Sequence, residues 1–122
     1  MIWTLPSVLP MYKQLDVSKY FGGYLLHPYM SWYTGRGCKS RCTFCLWPQT
    51  IGGHKYRVRS AENVAAEMAY MKKLFPQVRE FCFDDDTFTA NLPRAREIAK
   101  KNKALNGVEK WSLGFMQSDF EG

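Results

Sequence analysis

Three thiols crowd into the stretch GCKSRCTFC as Cys38, Cys42 and Cys45, at C-x3-C-x2-C spacing. Thiolates are soft ligands, and clustered cysteines in a reducing compartment serve metal binding or redox chemistry. A structural zinc site takes four ligands, commonly as two pairs. His54 and Cys82 are the candidates for a fourth, and neither stands at the spacing of a zinc knuckle. A disulfide would leave one thiol over. Ferredoxin-type runs bring four cysteines. A 4Fe-4S cluster on three thiolates leaves one iron without a protein ligand, open to a small molecule. Zinc and plain redox thiols stay open as alternatives on the residues alone.

A second group follows in FDDDTF, where Asp84, Asp85 and Asp86 leave an apolar run. Adjacent carboxylates repel one another, and at the C-terminal end of a strand they imply a nearby cation or hydrogen-bond donor. An acidic turn leading into a helix N-terminus is also favoured by the helix dipole. Cys82, inside the apolar run, reads as a small buried hydrophobe and not as a ligand. The stretch IGGHKYRVR has the form of an anion cradle, glycines followed by cations, but a solvated basic loop accounts for it more simply. Tyr24, Tyr29, Trp32 and Tyr33 supply core or cavity aromatics.

These groups need elements to hold them. Residues 28–37 read as a strand running into the cysteine loop. Ser60 caps a helix in which Val64, Met68, Met71 and Phe75 share one face, and Pro76 stops it. Residues 79–85 read as a buried strand, with Phe81, Cys82 and Phe83 in a continuous apolar run. Asn91 caps a second helix with Ala95, Ile98 and Ala99 inward, ended by Asn106-Gly107. Residues 109–116 read as a third strand. Alternating strands and helices predict an α/β fold of parallel strands with helical crossovers. Residues 1–27 read as a lead-in or linker segment with a short helical turn, and 28–122 as the core domain.

The 122 residues suit one small domain, and 46% hydrophobic with 23% charged residues excludes a disordered chain. No apolar run reaches the roughly 18 residues of a transmembrane helix. MIWTLPSVLP lacks a basic start and is broken by prolines, so it does not read as a signal peptide. A cytoplasmic protein is expected. The net charge of +6 is that of a solvated basic surface, and no specific nucleic-acid motif is present.

The C-x3-C-x-aromatic-C pattern resembles the cluster loop of the radical S-adenosylmethionine (radical SAM) enzymes. The resemblance implies a 4Fe-4S cluster on Cys38, Cys42 and Cys45, with S-adenosylmethionine chelating the open iron. It implies cleavage to a 5'-deoxyadenosyl radical and Phe44 packed near the adenine. It places the loop after the first strand of a partial (β/α) TIM-like barrel, of which this chain would be the N-terminal part. The aspartates fall where the family holds the amino group of S-adenosylmethionine, so Asp84, Asp85 and Asp86 are the candidate cofactor contacts.

Over a longer stretch, including GYLLHPYMSWYTGRGC and FPQVREFCFDDDTFTANLPRAREIA, the chain resembles hopanoid-biosynthesis-associated radical SAM proteins of the cobalamin-binding class. That implies a hopanoid lipid substrate, an electron donor, a membrane association through the lipid, and cobalamin in a full-length parent. Members of that class are several times longer, and residues beyond about Lys103 track them poorly. A truncated core is therefore expected. A non-catalytic iron–sulfur or zinc module and an RNA-modifying radical SAM enzyme are the alternatives.

Overall fold

A computed structural model describes residues 9–50, 52–102 and 110–113, the last four through their backbone. Strand β1 (Tyr29–Trp32) is followed by β2 (Gly35–Arg36), the one-turn helix α1 (Trp47–Thr50) and β3 (Arg57–Val58). Helix α2 (Ala61–Leu74), β4 (Glu80–Phe83), α3 (Leu92–Asn102) and β5 (Lys110–Leu113) complete the order. The main sheet runs β1-β4-β5 with both pairs parallel, Met30 facing Phe81 and Trp32 facing Phe83. This is a mixed α/β arrangement in which α2 and α3 connect parallel strands and pack against each other.

The local signals act as expected. Ser60 Oγ accepts from the Asn63 amide at 3.2 Å and starts α2. Val64, Met68, Met71 and Phe75 are all buried on its inner face. Asn91 Oδ1 accepts from the Arg94 amide at 3.1 Å and starts α3, with Ile98 fully buried. All four residues of β4 are buried, whereas β1 buries Met30 and Trp32 and exposes Ser31. Trp32 sets its ring edge-on to Phe81 and Phe83, at 5.3 and 5.2 Å between centroids, and Phe83 stacks on Phe88. Aromatic pairs at these distances add to the area they bury. The Asn106-Gly107 helix stop lies outside the described residues, as do the flanks expected for the third strand.

Two features go beyond the sequence reading. The lead-in has the helical turn expected of it, as 3-10 helices at Leu9–Gln14 and Val17–Lys19, and beyond that expectation Val17 enters the core. The Tyr12 hydroxyl donates to buried Glu67 on α2 at 2.7 Å, and Glu67 is ion-paired to Arg59 at 2.6 Å. Burial, and then this hydrogen bond, hold the Tyr12 hydroxyl well above the ordinary tyrosine range. A folded-state pKa raised in this way contributes stability below the unfolded value of about 10, lost as pH rises beyond it. Tyr12→Phe should therefore show a shallower alkaline loss of stability than the native chain. Urea midpoints from pH 9 to 11 measure it, and parallel curves would refute the role given to Tyr12.

The second feature is the β2–β3 pair, antiparallel with Gly35 opposite Val58 and Arg36 opposite Arg57. It closes the base of the loop carrying the three cysteines. The segment expected to be a solvated basic loop is thus partly structural. Arg57 donates to the Gly52 carbonyl at 3.0 Å, and Arg59 donates to Asn63 at 2.7 Å and to the Tyr33 carbonyl at 3.2 Å. His54 and Lys55 are exposed, as a basic loop would have them.

Candidate functional site

The cysteine loop leaves the C-terminal end of the first parallel strand, beside the turn that leaves β4. Both ends of the loop are held by backbone. The Cys38 amide donates to the Gly53 carbonyl at 3.1 Å. Gly37 has φ +90, a conformation that side-chain-bearing residues rarely adopt, and a Cβ there would run into the Lys55 carbonyl oxygen. Within the loop the Cys45 amide donates to the Cys42 carbonyl at 3.2 Å, so the second and third cysteines flank a tight turn.

Consecutive residues after β4 divide their work. Asp85 is buried, and Thr34 reaches it twice, through its amide at 2.5 Å and its hydroxyl at 2.6 Å. Burial raises the Asp85 pKa above its usual value, and the hydrogen bonds from Thr34 and Gly35 oppose that rise. Asp86 Oδ2 accepts from the Gly37 amide at 2.9 Å and lies 2.5 Å from where a Cβ on Gly52 would stand. Asp84 is exposed. Of three adjacent carboxylates, then, Asp85 ties the ends of β1 and β4 together, Asp86 ties down the start of the cysteine loop, and Asp84 faces solvent.

Arg94 completes the anchoring and was missed from sequence. Its Nη2 donates to the Thr34 carbonyl at 2.8 Å and its Nε to the Arg59 carbonyl at 2.7 Å. Burial lowers its pKa, and the charge of Asp85 opposes this. Arg94 lies one helical turn before Ile98, so it shares the inward face of α3. That position was the signal in the sequence for a buried, partnered arginine.

The four cysteines form no disulfide with one another. Cys38 is buried, and Cys42 and Cys45 are half-buried. Cys82 is buried within β4, as a small hydrophobe would be. Phe44 is 72% exposed between the second and third cysteines, its ring open to solvent. Among the described residues, no group of three or more His, Cys, Asp and Glu side chains is gathered as a single metal ion requires. A four-iron cluster makes a different demand, since each thiolate binds its own iron. The donor set fits such a group in type: three soft thiols on one short loop, one already accepting a hydrogen bond at sulfur.

No family model matches the chain, and no solved structure matches it. Two curated proteins are similar. One is a cytidylyl-2-hydroxyethylphosphonate methyltransferase from Streptomyces wedmorensis, 34% identical over 73 residues, which are 60% of this chain and 13% of that protein. The other is a protein named as an uncharacterized methyltransferase from Pyrococcus horikoshii, 33% identical over 112 residues, 92% of this chain and 24% of that protein. The chain thus spans about a quarter or less of the curated relatives it matches.

Proposed function

We propose that this chain is the cluster-binding part of a radical S-adenosylmethionine enzyme within a partial (β/α) barrel. Cys38, Cys42 and Cys45 would hold a 4Fe-4S cluster whose fourth iron takes S-adenosylmethionine. The observation that carries this reading is the three-cysteine loop at the C-terminal end of a parallel strand, where α/β folds place ligands. The similarity to two proteins named as methyltransferases supports S-adenosylmethionine as the cofactor. Asp84 is the aspartate suited to the cofactor's amino group, because Asp85 and Asp86 accept hydrogen bonds within the protein. Exposed Phe44 is suited to the adenine face. A hopanoid lipid substrate, an electron donor, cobalamin and a place at the membrane surface rest on the resemblance alone. No helix among the described residues is long and apolar enough to cross a membrane.

The names of the relatives favour methyl transfer as the parent reaction and carry nothing on hopanoid side-chain chemistry. Anaerobic reconstitution with iron and sulfide, reduction, and electron paramagnetic resonance with and without S-adenosylmethionine test the cofactor reading. The expected result is a 4Fe-4S signal that changes when S-adenosylmethionine is added. One bound zinc per chain and no cluster would overturn it and favour a closed, non-catalytic module.

A further inference from the structure

Thr87 follows the aspartate triplet directly and is 95% removed from solvent, with 5% exposed. It stands at the N-cap of a 3-10 turn, Phe88–Ala90, a position where a threonine hydroxyl ordinarily accepts from the helix backbone. It makes no such cap hydrogen bond. Its Oγ1 instead donates to Cys38 Sγ at 2.9 Å, and Cys38 is itself buried. The neighbouring Asp86 holds the Gly37 amide at 2.9 Å. Two successive residues after β4 therefore grip two successive residues at the start of the loop. Among the described residues neither Cys42 nor Cys45 receives a side-chain hydrogen bond at sulfur. The three thiols are electrically unequal.

We propose that Thr87 is a positioning residue that sets the reduction potential of the cluster through its hydrogen bond to the Cys38 sulfur. This rests on the cluster reading above. A hydrogen bond to a ligating sulfur stabilises the form with more negative charge, which is the reduced form, and so raises the potential. Burial at both partners keeps water from replacing the lost donor, so its removal is felt in full.

The test is an anaerobic redox titration of the reconstituted full chain with a one-electron reductant, read by electron paramagnetic resonance, for native protein, Thr87→Val and Thr87→Ser. Thr87→Val keeps the shape and removes the donor. It is expected to lower the reduced-to-oxidised ratio at fixed potential about tenfold, or about 59 mV for one electron. Thr87→Ser keeps the donor and should titrate with the native protein. In deuterated buffer, an exchangeable deuteron coupled to the cluster should be seen in native protein and Thr87→Ser and be lost in Thr87→Val. Equal potentials in all three, or an equal shift in both variants, would overturn the role of Thr87 and leave the cluster reading intact. No cluster in the native chain would overturn both. Should Thr87→Val fail to fold, Thr87→Ser still decides: a tenfold shift there, or no coupled deuteron, refutes the proposal.

Discussion

Alanine at Cys38, Cys42 or Cys45 should each reduce the iron and sulfide retained after reconstitution to background, while Cys82→Ala keeps the native content. The reasoning is coordination. A cluster with three protein thiolates already has one open iron, and removing a thiolate leaves two irons without protein ligands. Cys82 belongs to the buried strand β4 and supplies packing instead. Its loss leaves a small cavity whose cost falls on stability and not on iron. Iron and acid-labile sulfide assays on the desalted proteins separate these outcomes. Native iron content in Cys42→Ala would count against the three-thiolate site. Loss of iron in Cys82→Ala, with the fold retained by circular dichroism, would instead argue that the fourth cysteine is a ligand and the site is closed.

Asp85→Ala should be the most destabilising change in the acidic triplet, by about 3 kcal/mol or more at neutral pH. It strips the acceptor from the Thr34 amide and hydroxyl and removes the charge beside buried Arg94. Against a total stability of about 5–15 kcal/mol that is a large fraction. Asp84→Ala, on an exposed side chain, should change stability by no more than about 0.5 kcal/mol. Urea titrations with an unchanged slope measure both. The pH dependence adds a sign. Because burial raises the folded-state pKa of Asp85, its contribution is greatest below the unfolded pKa and declines as pH rises through the folded one. The gap between native protein and Asp85→Ala should therefore widen on mild acidification. Equal midpoints for the two alanine variants would show that Asp85 does not anchor the strand ends.

The contrast between the two aspartates also tests the cofactor assignment. Asp84→Ala should leave the fold and cluster in place and weaken the spectroscopic response to S-adenosylmethionine. Asp85→Ala would affect that response only by loosening the loop.

The sequence by itself determined what neighbouring residues can encode. Ser60 and Asn91 cap their helices within three residues of themselves, and the spacing of Val64, Met68, Met71 and Phe75 sets a buried face by helical period alone. The crowding of three thiols is equally local, since Cys38, Cys42 and Cys45 fall within one short loop. Only the tertiary structure decided the rest. Asp84, Asp85 and Asp86 are chemically identical in the text, and what separates them is which partner each meets across the sheet. Asp86 meets Gly37 at a separation of 49 residues, Asp85 meets Thr34 at 51 and Arg94 meets Thr34 at 60. The Thr87 hydroxyl finds the Cys38 sulfur in the same way, 49 residues away. These contacts exist because β1 and β4 pair in parallel with Trp32 beside Phe83, which brings both strand exits to one edge. Register is a property of two distant segments at once, so no local pattern could have stated it.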